Sequence, residues 1–367
     1  MSARVMNPMS KDTGHPAAVL VKIGVIGLGR MGRLYTRMLA TQIDGACLYA
    51  VAEVDEQARS QVLDVLDVPH AFADAYELIM LPELDAVVIT TPTSTHHDLV
   101  IAAAKAGKAI FCEKPLALTL EETRSALEAV ARAQVPLQVG FMRRFDAAYQ
   151  KAKTLIDSGH IGYPVTFKSI GRDPFCPKPE YADPAKSGGL ILDMAIHDFD
   201  LARWLMGSEV ERVAAEGTTL VCKVLASVGD IDNAVINLRF ASGALGNIEV
   251  SRNAFYGYDI RTEVLGSEGA VMVGDHQHTP VLLLTRAGAQ HDLTPYLMER
   301  FGDAYRTQLQ HFTNCLTNGQ PPLVSGADAL AAYEIGVAAT RSYQTGHPVS
   351  LSRVGHSPEE SSAGSSL

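Results

Sequence analysis

The sequence is poor in cysteine, has no surplus of basic charge and contains no long apolar run. Five cysteines occur in 367 residues, at Cys47, Cys112, Cys176, Cys222 and Cys315. Their number is odd and none forms a C-x-x-C pair, so neither a disulfide framework nor a thiolate zinc site is expected. Lysine and arginine number 31 against 41 aspartates and glutamates, a formal net charge of −10. A nucleic-acid binder needs a basic face to neutralise phosphates, which excludes that class. The greasiest stretch, Val19 to Leu28, is broken by Lys22 and by glycines. It falls short of the ~20 apolar residues that span a bilayer, so no membrane partner is expected. The opening residues carry no apolar segment ending in a cleavage site, and the chain is read as cytoplasmic. No internal repeat is found. What is present is 47% hydrophobic and 20% charged, the balance of a folded soluble chain rather than a disordered or fibrous one. At ~150 residues per domain, the length suggests two domains.

Residues 1–16 are polar and without hydrophobic period, and read as a flexible leader; residues 351–367, Ser-rich and acidic, read as a loose tail. From 17 to 140 the chain alternates. Strand-type runs at Val19–Gly27, Ala46–Glu53, Ala86–Thr90, Ala109–Cys112 and Leu137–Val139 are separated by helical spacing at Met31–Leu39, Glu56–Leu66, His97–Ala106 and Leu120–Ala133. That alternation means βαβ units and a parallel sheet covered on both faces. From 141 to 350 the texture changes. After a strand at Pro164–Ile170 and a Pro-rich loop, one helix is expected from Asp193 to Leu205. Short strand runs follow, separated by turns such as Ala241-Ser242-Gly243, the pattern of an antiparallel sheet. Two helices, about Phe301–Thr317 and Gly326–Gln344, close the chain.

Four motifs carry chemistry. Gly27-Leu28-Gly29-Arg30-Met31-Gly32 follows a strand and opens a helix. The first glycine permits the tight turn, the second lets a pyrophosphate approach, the third lets helix and strand pack, and the helix N-terminus favours the phosphate charge. Glu53 ends the second strand, where a carboxylate accepts from a ribose 2′-hydroxyl and repels a 2′-phosphate; this points to NAD rather than NADP. Asp55 is a rival for that contact, and a structural glycine turn with a surface Glu is the bland alternative. Thr90-Thr91-Pro92, with His96, lies at the end of the third strand run, where doubly wound sheets bind ligands; His96 and His97 could equally be solvated helix-start residues. Glu113-Lys114-Pro115 ends another strand on the same sheet edge. A lysine held there can act as an acid or base, or can simply pair with Glu113. Asp193 and His197 are four apart and would share a helix face. Such a pair can deprotonate a hydroxyl, bind a metal or form a plain helix ion pair; no further ligand set at a telling spacing accompanies it.

Taken together, the glycine turn, Glu113-Lys114-Pro115 and Asp193-x-x-x-His197 resemble the Gfo/Idh/MocA oxidoreductases, over about Val19 to Pro348. Gly140-Phe141-Met142-Arg143-Arg144-Phe145-Asp146, Arg172-Asp173-Pro174, Asn253 through Asp259 and Glu299 through Arg306 are similar to the inositol 2-dehydrogenase branch. The resemblance implies an N-terminal Rossmann domain and a C-terminal α/β domain with a large, mostly antiparallel open sheet. It implies Gly27, Gly29, Arg30, Met31, Gly32, Glu53, Thr90, Thr91, Pro92, His96, Glu113 and Lys114 around NAD. Lys114, Asp193 and His197 would be catalytic, Lys114 being the family's acid/base, and Met142, Arg143, Asp173 and Tyr258 would face a cyclic polyol. The reaction implied is NAD-dependent oxidation of a ring secondary alcohol to a ketone, with myo-inositol to 2-keto-myo-inositol as the leading case and no metal required. Scyllo-inositol, sugar and anhydrosugar dehydrogenases share the branch, and an NAD-sensing regulator is the competing class. A homotetramer is expected, because few later segments could cover both faces of a sheet carrying Val235, Ile236, Leu238 and Phe240. The catalytic cluster is expected to titrate between ~6.5 and ~10.4, the ordinary values of histidine and lysine.

Overall fold

Strands of three to seven residues, alternating with helices, assemble the first half around one parallel sheet. The computed structural model describes residues 20–274 and 277–351. The expected leader over 1–16 and the expected tail beyond Leu351 lie outside the described residues. Strands β1 (Val21–Ile26), β2 (Ala46–Ala52), β3 (His70–Phe72), β4 (Ala86–Ile89), β5 (Ala109–Cys112) and β6 (Leu137–Val139) line up in the order β3-β2-β1-β4-β5-β6. Between them run α1 (Arg30–Thr41), α2 (Glu56–Leu63), α3 (Ala75–Ile79), α4 (His96–Lys105) and α5 (Leu120–Ala133). Every residue of β2, β4, β5 and β6 is buried, as a sheet sandwiched between helices requires. Strand order reverses between β1 and β4, and their carboxyl ends open the crevice where such sheets bind ligands. The short β3 and α3 were not anticipated; neither is long enough to display a period.

Helix α6 (Ala147–Asp157) leads to the second sheet. There follow β7 (Pro164–Arg172), α7 (Pro179–Ala182), α8 (Pro184–Ser187), α9 (Gly189–Asp193), α10 (Ile196–Met206), β8 (Val210–Thr218), β9 (Asn233–Phe240), β10 (Leu245–Ser251), β11 (Asp259–Gly266) and β12 (Ala270–Val273). A hairpin of β13 (Leu283–Thr285) and β14 (Gly288–Gln290), the helices α11 (Leu297–Asn318) and α12 (Gly326–Thr345), and β15 (Val349–Ser350) complete the chain. The seven-stranded order is β12-β11-β7-β10-β9-β8-β15, antiparallel except for the parallel pair β7 and β10. Strand β9 alternates cleanly. Ala234, Ile236, Leu238 and Phe240 point inward, while Val235, Asn237 and Arg239 face out. Helix α12 covers the inner face against β8 and α10.

Two expectations are corrected. The single helix from Asp193 is two: α9 ends at Asp193 and α10 starts at Ile196, with Met194 and Ala195 forming the break. Cys176 and Cys222 form a disulfide across 46 residues, because the loop after β7 folds back onto the segment following β8. Cys47, Cys112 and Cys315 are free and buried. No helix among the described residues is long and apolar enough to cross a membrane.

Candidate active site

The groove begins at the β1–α1 turn. Gly27 has φ +88°, and a Cβ there would sit 2.8 Å from the Thr91 nitrogen; a Cβ on Gly32 would sit 1.8 Å from the Gly27 carbonyl oxygen. A Cβ on Gly29 would meet nothing within 4 Å, and no side chain caps the start of α1. Open space before an uncapped helix N-terminus fits the pyrophosphate of a dinucleotide. Glu53 is held beside this turn, accepting from the Leu28 N–H at 2.6 Å and the Asp55 N–H at 3.0 Å. Its rival Asp55 instead caps α2, accepting from the Ala58 N–H at 3.0 Å. Thr90 Oγ1 donates to the Gly27 carbonyl at 2.8 Å, tying the turn to β4. Thr91 Oγ1 accepts from Thr95 at 2.7 Å, and Pro92 is exposed beside it. Arg30 reaches across the groove to donate to the Tyr296 hydroxyl at 3.1 Å, while Met31 is half-buried.

Two residues expected around the cofactor are turned into the protein. His96 is buried, one ring nitrogen 2.8 Å from the Pro115 carbonyl oxygen and the other 2.9 Å from that of Thr91, so it ties two loops of the groove together. Glu113 accepts from the Tyr35 hydroxyl at 2.5 Å, and a Cβ on Gly140 would fall 2.8 Å from its carboxylate. Burial raises its pKa. His96 opens α4 and Glu113 follows β5, and each side chain is held by partners inside the protein, which a motif in one dimension does not reveal.

Lys114, at the end of β5, crosses to the second unit. Its Nζ donates to the Asp193 carbonyl at 2.7 Å and to Asp193 Oδ1 at 3.2 Å. Burial lowers the lysine pKa, but the Asp193 carboxylate, with Tyr181 and Glu113, outweighs it, and the value ends above the ordinary one. Asp193 is disfavoured by burial yet held below the usual carboxylate range by Lys114 and Arg252. His197, the second residue of α10, lies edge-on to Phe141 at 5.9 Å, and its Nδ1 is buried without a hydrogen-bond partner among the described residues. Burial, then the Lys114 and Arg143 cations, push it well below 6.5. The two groups therefore move apart, rather than meeting between histidine and lysine values: Lys114 is an ammonium and His197 a neutral imidazole at neutral pH.

Of the residues expected to face a polyol, Asp173 and Tyr258 approach this cluster. Burial, then the Asp193 charge, pushes the Asp173 carboxyl up to about 6. Burial and Asp173 raise the Tyr258 phenol. Met142 and Arg143 are more enclosed than expected. Met142 is 3% exposed within the core, and Arg143 Nη1 donates to the wholly buried Asp198 at 2.6 Å. The sequence reading missed Arg252, Asp230 and Tyr181, which also surround Asp193. The available signal was Arg252 itself, a charge continuing the apolar strand run of β10. No group of three His, Cys, Asp or Glu side chains among the described residues is arranged to hold a metal ion.

Residues 21–141 match the model of an oxidoreductase family's NAD-binding Rossmann fold, and residues 153–351 match that family's C-terminal alpha/beta domain. The chain belongs to the Gfo/Idh/MocA oxidoreductase family. Within the family it is 44% identical over 331 residues to a Bacillus subtilis protein named scyllo-inositol 2-dehydrogenase (NAD(+)), covering 90% of this chain and 96% of that one. It is 43% identical over 335 residues to a Thermotoga maritima protein named myo-inositol 2-dehydrogenase, covering 91% and 99%. A solved family structure, scyllo-inositol dehydrogenase from Lactobacillus casei with bound cofactor NAD(H) and scyllo-inositol, superposes with a TM-score of 0.86 at 30% identity, covering 90% and 99%.

Proposed function

We propose that this chain is an NAD-dependent dehydrogenase that oxidises a ring secondary alcohol of a cyclic polyol, with myo-inositol to 2-keto-myo-inositol as the leading reaction. The observation that carries the reading is the convergence of Lys114, 3.2 Å from the Asp193 carboxylate, with the buried, unpartnered Nδ1 of His197, in a chain whose glycine turn opens an uncapped helix. Glycines 27, 29 and 32 with Arg30, Met31, Glu53, Thr90, Thr91 and Pro92 would hold NAD; when bound, it supplies the acceptor for hydride from the alcohol carbon. His197 accepts the hydroxyl proton. Lys114 donates a hydrogen bond to the same oxygen as negative charge builds on it, and Asp193 holds that ammonium in place. Asp173 and Tyr258 orient further ring hydroxyls.

The two relatives above are named for different stereoisomers, which makes scyllo-inositol the second substrate to test. The same reading takes residues 17–140 as the cofactor unit and residues 141–350 as the substrate and assembly unit. It makes the protein a cytoplasmic homotetramer in inositol catabolism. Support for assembly comes from the outer side of the second sheet, where Val235, Leu245, Leu265 and Met272 are exposed. The test is a panel of cyclitols and sugars assayed for NADH formation. Turnover with an inositol is expected. Tight NAD binding without reduction by any polyol would refute the reading in favour of a sensor or a redox-neutral enzyme.

A further inference from the structure

Arg252 is the largest fully buried side chain among the described residues. It directly follows β10, and only 2% of its side chain is exposed. A guanidinium stays charged at every working pH, so burying one demands anions. Two are supplied. Nη1 donates to Asp230 Oδ2 at 2.9 Å and Nη2 to Asp193 Oδ2 at 3.2 Å. The other Asp230 oxygen accepts the Leu190 N–H at 2.9 Å. The Arg252–Asp230 pair thus grips α9 near its start, at Leu190, and at its end, at Asp193. A helix of this length is only ~7 Å long and does not hold its shape alone. Asp193 divides its oxygens between two cations, Oδ2 to Arg252 and Oδ1 to Lys114. Asp173 and Tyr181 face the same charges from the chain after β7, as does Arg30 from α1. His197 faces Lys114 and Arg143.

We infer that Arg252 is a positioning residue for proton transfer: it pins one oxygen of Asp193 so that the other is presented to Lys114, and its charge, balanced by Asp230, sets the electrostatic level of the Lys114–Asp193–His197 cluster. The inference rests on the catalytic reading of those three residues given above. Arg252 itself touches no reacting atom; it acts through Asp193. Removing the guanidinium leaves the cluster one charge more negative, so each titrating member holds its proton more tightly. Removing the Asp230 charge does the reverse. A unit charge ~7 Å away at an effective dielectric near 20 moves a titration by roughly one to two pH units.

The test is the pH profile of kcat/KM for oxidation in wild type, Arg252→Gln, Arg252→Lys and Asp230→Asn, with Lys114→Ala alongside. Asparagine at 230 can still accept the Leu190 N–H. Arg252→Gln is expected to lower kcat about tenfold or more and to move the profile up by about one unit. Asp230→Asn should move it down, and Arg252→Lys should leave it in place at reduced kcat. A purely structural role would lower activity without displacing the two profiles in opposite directions. Scaled profiles that overlay the wild type, or that move the same way, overturn the inference. If Arg252→Gln is not recovered folded, the other two variants decide: a raised Arg252→Lys profile or an Asp230→Asn profile that does not fall refutes it. An active Lys114→Ala would refute the catalytic reading itself, whereas an inactive Lys114→Ala with unmoved Arg252 profiles refutes only the role of Arg252.

Discussion

Replacing Lys114 by alanine separates its catalytic work from its structural work. Structurally, the ammonium makes two hydrogen bonds, to the Asp193 carbonyl at 2.7 Å and to its carboxylate at 3.2 Å. Charged hydrogen bonds of this kind contribute about 1.5–3 kcal/mol each at most. Asp193 is not orphaned by the change, because Arg252 still pairs with its other oxygen at 3.2 Å. The folding cost should therefore stay near ~1–3 kcal/mol, a shift of several degrees in Tm for a chain of this size. Catalytically, the loss is larger. A proton-transfer partner contributes about 10²–10⁴ in rate, and a preorganised donor to developing charge a comparable factor. With His197 still present as base, turnover in Lys114→Ala should fall by about three orders of magnitude, equivalent to ~4 kcal/mol at the transition state. NAD binding should be kept, since the hydrogen bonds that hold Glu53 and the glycine turn do not involve Lys114, whose ammonium is bonded to Asp193. The measurements are NADH formation at saturating myo-inositol, NADH fluorescence titration and thermal unfolding. Turnover within tenfold of wild type would refute the assignment. A variant that folds but no longer binds NAD would place Lys114 in the cofactor cradle instead.

Glu53→Ser should relax the preference for NAD over NADP in a side-by-side assay, and also raise the KM for NAD, because the Leu28 N–H loses its acceptor; equal use of both cofactors by the wild type would show the Glu53 assignment wrong. His197 is held below its ordinary ~6.5 and is therefore unprotonated at neutral pH, gaining its proton only as pH falls through the lowered value. Accordingly kcat/KM for oxidation should hold across neutral pH and drop on the acid side, and a rising limb above neutrality would contradict this. Denatured without reductant, the chain should expose the three thiols of Cys47, Cys112 and Cys315, and all five cysteines after reduction; five reactive thiols throughout would mean that Cys176 and Cys222 are not joined. Light scattering at micromolar concentration should give a tetramer, and a monomer would rule out the assembly proposed for the outer sheet face.

Much of this site is local in origin, which explains why it can be read from the chain alone. Parallel βαβ units place every strand's carboxyl end on one edge, so motifs that follow strands must meet there: the glycine turn after β1, Thr90-Thr91-Pro92 after β4 and Glu113-Lys114-Pro115 after β5. Strand and helix runs follow from the period of their apolar residues; β3 and α3 escape because they are shorter than one readable repeat, and the eleven-residue helix α6 also goes unread. Which way a side chain leaves its strand end, and what charge it meets there, depends on residues far away in the chain. Glu113 is held by the Tyr35 hydroxyl from α1, and His96 is bracketed by the carbonyls of Thr91 and Pro115. Asp193 and His197 are not on one helix, because the α9–α10 break lies between them. Cys176 meets Cys222 only when the loop after β7 folds back. The opposed shifts of Lys114 and His197 likewise arise from burial and from partners 79 and 54 residues distant, Asp193 and Arg143. Composition, period and motif order are properties of neighbours along the chain, whereas burial and pairing are properties of neighbours in space, and only the tertiary structure brings those together.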